Sequence, residues 1–257
     1  MTRKPFRLFV QILLIGLLLG VSSTAYADAI AVSAVTFSNF QITPAVGTVT
    51  FTPTAASTVA LATNSLGQTA PVMSNTFPIS QANTAVQFAS SSAVANANTF
   101  SATANSLVAL TGCTCIASSA GQGNLSGTFV ITGGEGNVNV NIAALFTTMS
   151  SVMTDQNGLT AQSQVITTLT IDGVAIFDVT NIFNVVSNSS DEQVRMHQIS
   201  EAVSLAFNVP HTVSIHTHAG SFAEHQVPEP ATAVLLFSGL GFMAGYVRKR
   251  KKTSTTP

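Results

Sequence analysis

The stretch Val165-Ile-Thr-Thr-Leu-Thr-Ile-Asp-Gly-Val-Ala-Ile-Phe-Asp-Val179 decides the fold class of this chain. Its Asp172-Gly173 pair lies between two runs that are rich in β-branched residues. An Asp-Gly pair in that setting is the strongest short-range signal for a two-residue turn between antiparallel strands. The stretch therefore predicts a β-hairpin with strands over 165–171 and 174–179.

Other segments repeat the two-residue alternation of apolar and small polar side chains that is typical of half-buried strands. These segments are 30–37, 47–52, 128–132 and 138–142. A second hairpin is predicted from 202–209 and 212–217, linked by Pro210 and His211, with the later strand at the edge of a sheet. Because each sheet must bury one face, we expect an all-β fold, an antiparallel, jelly-roll-like β-sandwich.

Three segments depart from this pattern. Residues 80–103 are rich in Ala, Ser and Asn, which predicts a loop-rich region or a short helix over 81–91. The apolar spacing over 145–153 predicts a helix. The glycine-rich run 133–136 predicts a turn, because a strand-like segment follows it instead of a helix that could bind phosphate.

The N-terminus predicts a secretory signal peptide over residues 1–27. Three cations precede an apolar run over 8–21, which is shorter than the roughly 20 residues of a membrane span. Ala25 and Ala27 fit the pockets of signal peptidase, so cleavage is expected before Asp28. A retained N-terminal anchor is the alternative.

The C-terminus, residues 227–257, has three parts in a fixed order. Val227-Pro-Glu-Pro-Ala-Thr232 precedes a charge-free apolar stretch over 233–247, and five cations follow over 248–252. Cations stay on the cytoplasmic side of a membrane, so one transmembrane helix is expected, with the ectodomain, residues 28–226, outside. The prolines disfavour helix around Glu229, which leaves that short stretch extended.

This tail resembles the PEP-CTERM sorting signal of Gram-negative bacteria. The resemblance implies that an exosortase, a membrane-embedded transpeptidase, recognises Pro228, Glu229 and Pro230. It also implies that the protein is anchored transiently in the inner membrane and then reaches the cell surface or the extracellular matrix. An ordinary single-pass anchor with an incidental Pro-Glu-Pro is the alternative.

The ectodomain is almost devoid of positive charge. It contains one cation, Arg195, and nine acids, which gives a formal charge of −8. Such a segment cannot neutralise a phosphate backbone, so nucleic-acid binding is excluded. The acids are Asp28, Glu135, Asp155, Asp172, Asp178, Asp191, Glu192, Glu201 and Glu224.

Cys113 and Cys115 are the chain's two cysteines, and export would place them in an oxidising compartment. Residues two apart on an extended strand face the same side, so a modest bend brings their Cα atoms within bridging range. We expect a local disulfide, with a metal site and a redox site as alternatives.

All five histidines lie between residues 197 and 225. His216 and His218 would face the same side of a strand and could offer zinc or copper two imidazoles, with His211 or His225 completing the site. The alternative is that the imidazoles supply surface polarity, and their protonation near pH 6.5 would offset part of the negative charge. Asp172 and Asp178 could bind calcium. The alternative for Asp172 is that it serves only to form the turn.

No hydrolase elbow, zincin motif or phosphate loop occurs in the sequence, so we assign no catalytic residue and expect no enzyme and no cofactor. The resemblance implies an exosortase-sorted surface or matrix protein associated with extracellular polysaccharide or biofilm. A carbohydrate- or metal-binding module is the first alternative. An extracellular hydrolase is the second, since two carboxylates can suffice for glycoside hydrolysis.

Overall fold

The computed structural model describes residues 28–111, 115–155, 159–186 and 188–225. These residues form twelve β-strands, and no helix that is long and apolar enough to cross a membrane occurs among them. The strands are β1 (Ala29–Pro44), β2 (Thr48–Asn64), β3 (Thr69–Ser74), β4 (Ile79–Val86), β5 (Ala89–Asn96), β6 (Ser101–Leu110), β7 (Ile116–Thr132), β8 (Asn137–Thr154), β9 (Leu159–Ile171), β10 (Val174–Val186), β11 (Ser189–Ala206) and β12 (Pro210–His225).

The strands form two six-stranded antiparallel sheets. Sheet A has the order β11-β8-β1-β6-β5-β4, and sheet B has the order β10-β9-β12-β7-β2-β3. The largest group of buried apolar residues draws on strands of both sheets, so the sheets pack face to face. The predicted all-β antiparallel sandwich is confirmed, whereas the predicted signal peptide and C-terminal helix lie outside the described residues.

The hairpin of β9 and β10 is confirmed. Asp172 and Gly173 form its two-residue turn with φ angles of 49° and 79°, the pair of positive values that a type I′ turn requires. The Asp172 carboxylate also accepts hydrogen bonds from Nδ1 of His211 and from the Thr212 amide, both at 2.7 Å. The predicted turn over 133–136 is confirmed as the link between β7 and β8.

The predicted second hairpin is wrong. β11 belongs to sheet A and pairs with β8, whereas β12 lies inside sheet B between β9 and β7. The segment between β11 and β12 is hydrogen-bonded to the end of β7 and the turn that follows it. Phe207 N donates to Gly136 O at 2.9 Å, and Asn208 N donates to Ile131 O at 2.7 Å. These bonds turn the chain from one sheet to the other, so β12 is a central strand and not an edge strand.

Two further predictions, for residues 80–103 and for residues 145–153, are wrong for different reasons. Residues 80–103 are neither loop nor helix but lie largely in β4, β5 and the start of β6. Residues 145–153 belong to β8, where Phe146 and Val152 face the core and Met149 faces outward. Apolar side chains on both faces of β8 imitate a helical stripe, and Ala and Ser at core positions imitate a loop.

The core is apolar at its two ends and hydroxyl-rich between them. One end contains buried aromatic and branched residues such as Phe37, Phe129 and Phe146. The other end is smaller and includes Leu110 and Leu159. Between them the buried positions include Ser33, Ser91, Ser106, Ser119, Ser163 and Ser221.

These six buried serines form what we call the serine seam, because the Oγ of each lies within hydrogen-bond distance of a backbone carbonyl oxygen of the opposite sheet. These contacts are Ser33 Oγ to Gly220 O (2.6 Å), Ser163 Oγ to Val32 O (2.9 Å), Ser91 Oγ to Leu61 O (2.9 Å), Ser106 Oγ to Ser119 O (2.9 Å), Ser119 Oγ to Leu107 O (3.0 Å) and Ser221 Oγ to Ser106 O (3.1 Å). Two pairs also hydrogen-bond to each other across the sheets, Ser33 with Ser163 (2.7 Å) and Ser106 with Ser119 (2.6 Å). A buried carbonyl already bonded within its sheet has a second lone pair, and the seam uses it. The seam therefore joins the sheets without leaving its own hydroxyls unpaired.

At Gly121 the backbone of sheet B approaches the backbone of sheet A closely. A Cβ atom at this position would be 2.5 Å from Ser92 O and 2.7 Å from Asn105 O, both backbone atoms of sheet A. Backbone atoms cannot move aside as a flexible side chain can. Glycine is therefore required at position 121 by the spacing of the sheets.

We expect Gly121→Ala to lower the free energy of unfolding by about 1–3 kcal/mol, because the added methyl group forces the sheets apart. Gly220→Ala is the matched control, because Gly220 lies on the outer face of β12 and its Cβ would meet only side-chain atoms, the His218 imidazole at 3.1 Å and Gln164 Cβ at 3.9 Å. Chemical denaturation of both variants measures the difference. Equal loss of stability in the two variants would contradict the close approach at Gly121.

Candidate functional site

The outer face of sheet B carries the two neighbouring histidines. His216 and His218 lie on β12 and point outward, while Thr217 between them points into the core and donates to Gly123 O at 3.1 Å. The imidazole centroids are 6.5 Å apart and the rings are within 13° of parallel. β12 therefore presents two stacked imidazoles at the centre of its sheet.

His216 belongs to a row of polar side chains that crosses five strands. Its Nδ1 donates to Asn124 Oδ1 on β7 at 2.6 Å, and Asn124 Nδ2 donates to Ser57 Oγ on β2 at 3.4 Å. On the other side Thr168 of β9 lies opposite His216 and donates to Asp178 of β10 at 3.4 Å. The bond to Asn124 fixes the proton on Nδ1 and leaves Nε2 of neutral His216 as an acceptor.

His218 borders an open depression that we call the amide depression. Its volume is about 210 Å³, and the side chains that line it on the outer face are those of Leu61, Ser118, Ala120, Gln162, Gln164, His218 and Phe222. Gly220 contributes no side chain, which leaves room for the His218 ring. Nδ1 of His218 is buried and has no hydrogen-bond partner among the described residues. The depression combines amide donors and acceptors with three apolar side chains, those of Leu61, Ala120 and Phe222, and with no charged group.

The imidazoles of this face are biased towards the neutral form. Burial lowers the pKa of His216. Burial also lowers the pKa of His218, and the charge of a protonated His216 lowers it further. The pH response expected from the sequence near pH 6.5 is therefore shifted to more acidic pH at these two residues.

The other three histidines do not join this pair. His211 points into the core, where Nδ1 lies 2.7 Å from an Asp172 carboxylate oxygen and Nε2 lies 3.0 Å from Ala206 O. His197 lies on β11 in the other sheet, and His225 lies at the end of β12. Since the second hairpin does not form, the fold does not bring His211 or His225 over the outer face of β12.

The aspartate candidates for calcium are also apart from each other. Burial alone would raise the pKa of Asp172, but the hydrogen bonds from His211 and Thr212 and the charge of His211 outweigh it and lower the pKa. Asp178 instead lies beside Thr168 on the outer face. Within the described ranges no three His, Cys, Asp or Glu side chains are grouped so that they could hold a metal ion.

Sequence reasoning did not find Gln162, Gln164 or Phe222. The Gln-x-Gln spacing in 162–164 is a local signal for two amides on one face of a strand. Their position beside β12 depends on the register in which Gln164 lies opposite Gly220 and Gln162 opposite Phe222. That register is a long-range property, so the amide depression is visible only in the folded sheet.

The first and last described residues lie at the same end of the sandwich. Asp28 N donates to Asp155 Oδ1 at 2.7 Å, and His225 N donates to Cys115 O at 3.1 Å. Cys115 is disulfide-bonded, and Cys113 lies outside the described residues. Ala25, Ala27, Pro228, Glu229 and Pro230 also lie outside them. The polypeptide therefore enters and leaves the sandwich at the Cys115 end.

The comparisons with known proteins identify the tail. A family model described as the PEP-CTERM protein-sorting motif matches residues 226–251. This chain carries a PEP-CTERM sorting motif. No curated protein and no solved structure matches the chain. The predicted resemblance is confirmed, and the motif implies an exported protein that exosortase recognises and that is held in the membrane before processing.

The PEP-CTERM motif begins directly after the last strand. β12 ends at His225, three residues before Pro228. The same strand contains His218 and Gly220 of the amide depression. Five residues of strand from Gly220 to His225 span about 17 Å, so the depression lies near the end of the sandwich from which the tail departs.

Acidification should destabilise the sandwich through His216 and His218. Their folded-state pKa values lie below the ordinary value of 6.5, so the unfolded chain binds protons first as the pH falls. Stability is complete above pH 6.5 and declines as the pH falls from there towards the lowered pKa values. Thermal unfolding between pH 5 and 8 measures this decline.

The control for the pH experiment is the double variant His216→Gln, His218→Gln, which keeps polar side chains that do not titrate. The variant should show a flatter dependence of melting temperature on pH. Asp172 does not interfere, because its lowered pKa acts only near and below its ordinary value of 3.8. Identical slopes in the native protein and the variant would show that these imidazoles are not responsible.

Proposed function

We propose that this chain is a non-enzymatic protein of the bacterial surface or extracellular matrix, which binds neutral extracellular polysaccharide or biofilm polymer after exosortase has processed its tail. The PEP-CTERM motif supports export and sorting. The observation that carries the polysaccharide proposal is the amide depression on the outer face of sheet B. The disulfide at Cys115 agrees with life in an oxidising compartment.

The depression offers the chemistry that sugar hydroxyls require. The carboxamides of Gln162 and Gln164 each provide donors and an acceptor in a fixed plane, and His218 adds ring nitrogens. Phe222 and Leu61 offer apolar surface to the C–H faces of a sugar ring. A few directed polar groups on an apolar floor are typical of small-ligand sites.

The charge of the ectodomain restricts the polymer. The depression contains no charged side chain, and the segment around it has a formal charge of −8. This negative charge repels anionic polymers, so electrostatic steering does not bring them to the depression. The proposal therefore specifies a neutral polysaccharide, with hydrogen bonds and apolar contact as the source of affinity.

The test uses processed protein recovered from the culture, applied to an array of neutral and acidic glycans and then titrated with the polymers that bind. The double variant Gln162→Ala, Gln164→Ala should weaken binding about tenfold or more, since each lost hydrogen bond is worth about 0.5–1.5 kcal/mol. Thr128→Ala, on the outer face of β7 far from the depression, is the control and should bind as the native protein does.

Three results would overturn the proposal. The first is the absence of saturable binding to every neutral glycan. The second is equal weakening by Thr128→Ala, and the third is release of shortened sugars, which would favour the hydrolase alternative. Zinc titration of the same preparation, with His216→Ala and His218→Ala variants as controls, tests the metal-binding alternative separately.

A further inference from the structure

β11 is the longest exposed edge of the sandwich. It has 18 residues and lies at the end of sheet A, and its partner within the described residues is β8 alone. In an antiparallel ladder half of an edge strand's backbone donors and acceptors point away from its neighbour. β11 therefore presents a long row of unpaired backbone groups, which is a template for another strand.

The charges of β11 are arranged for pairing with a copy of itself. Arg195 is the only cation of the described residues and forms no ion pair within them. Glu201 lies six residues further along the strand and is exposed. Because six is an even number, both side chains lie on the same face of the strand.

We propose that β11 pairs antiparallel with β11 of a second copy of this chain, about a two-fold axis through Gln198. In this register Arg195 lies opposite Glu201 of the second copy, and the symmetry repeats the pair. Residues 190–206 are all paired, which is nearly the full length of β11. Opposite charges facing each other across an antiparallel pair stabilise it, and like charges destabilise it.

Other registers satisfy fewer of these conditions. Pairing Arg195 with Asp191 centres the axis on residue 193 and joins only residues 189–197. Pairing Arg195 with Glu192 would join side chains of opposite faces, which a two-fold axis perpendicular to the sheet forbids. The register centred on Gln198 alone combines full strand overlap with two opposite-charge pairs.

The outer face of β11 supports the same register. Val194 and Met196 are 59% and 70% exposed, high values for side chains of this kind. In the proposed dimer they lie opposite Ala202 and Ser200 of the second copy, which are small enough to leave room for them. The exposed apolar side chains are thereby partly covered, and the charges on the other face select this register over unspecific edge pairing.

Cysteine cross-linking in the full chain tests the register. Gln198→Cys places two thiols directly opposite each other, with Cα atoms about 4.5–5.5 Å apart, which a disulfide can bridge. Ser204→Cys is the matched control, because the two copies of residue 204 would be about 40 Å apart. Oxidation in the native membrane should give a dimer with Gln198→Cys and none with Ser204→Cys.

A charge exchange tests the ion pairs by sedimentation of the processed protein. Arg195→Glu places like charges opposite each other twice and should weaken dimerisation about tenfold or more. The double variant Arg195→Glu, Glu201→Arg restores both pairs and should restore the dimer. Circular dichroism establishes that each variant is folded.

Three outcomes would overturn the proposal. The first is equal cross-linking of Gln198→Cys and Ser204→Cys, which indicates random collision. The second is a folded double variant that remains monomeric where the native protein is dimeric, and the third is a native protein that is monomeric at all concentrations. None of these outcomes bears on polysaccharide binding, so this inference and the proposed function are tested independently.

Discussion

The hydrogen bonds of the serine seam set how closely the two sheets can lie, and the rest of the molecule follows from that distance. Ser33, Ser106 and Ser163 reach the carbonyls of the opposite sheet only because no larger side chain separates the sheets there. The same spacing requires glycine at position 121. Larger polar side chains therefore lie mainly on the outer faces and at the edges, as His216, His218 and Gln164 do, whereas His211 is buried beside the turn at Asp172.

Local chemistry explains which parts of the fold could be predicted from the sequence. Asp172 and Gly173 define their turn by backbone preference alone, so the hairpin of β9 and β10 was predictable. The small residues of 80–103 were misread because Ala and Ser are common both in loops and at the closest contact of two sheets. The sheet position of β12 was unpredictable, since it depends on partners that are distant in sequence.

The candidate site also has features that follow from local sequence and features that depend on distant strands. The common face of His216 and His218 follows from the two-residue period of a strand. The surroundings of these two histidines do not follow from that period. Asn124 lies on β7 and Gln164 on β9, and the sequence pattern alone does not show that these strands flank β12. The PEP-CTERM motif is different again, because a membrane enzyme reads it as a linear segment, and the sequence therefore contains all of its information.

The distribution of charge connects the fold to the exposed edges. The ectodomain has ten charged residues, and four of them, Asp191, Glu192, Arg195 and Glu201, lie on β11. The edge strand β3 is short and contains Pro71, so its edge is blocked without charge. β11 is too long for that solution, and charge is the remaining way to prevent indiscriminate pairing. Acidic side chains alone would be enough to prevent an edge strand from pairing with other strands. The single cation of the ectodomain, set six residues from Glu201 on the same face, adds selectivity for one partner, a second β11.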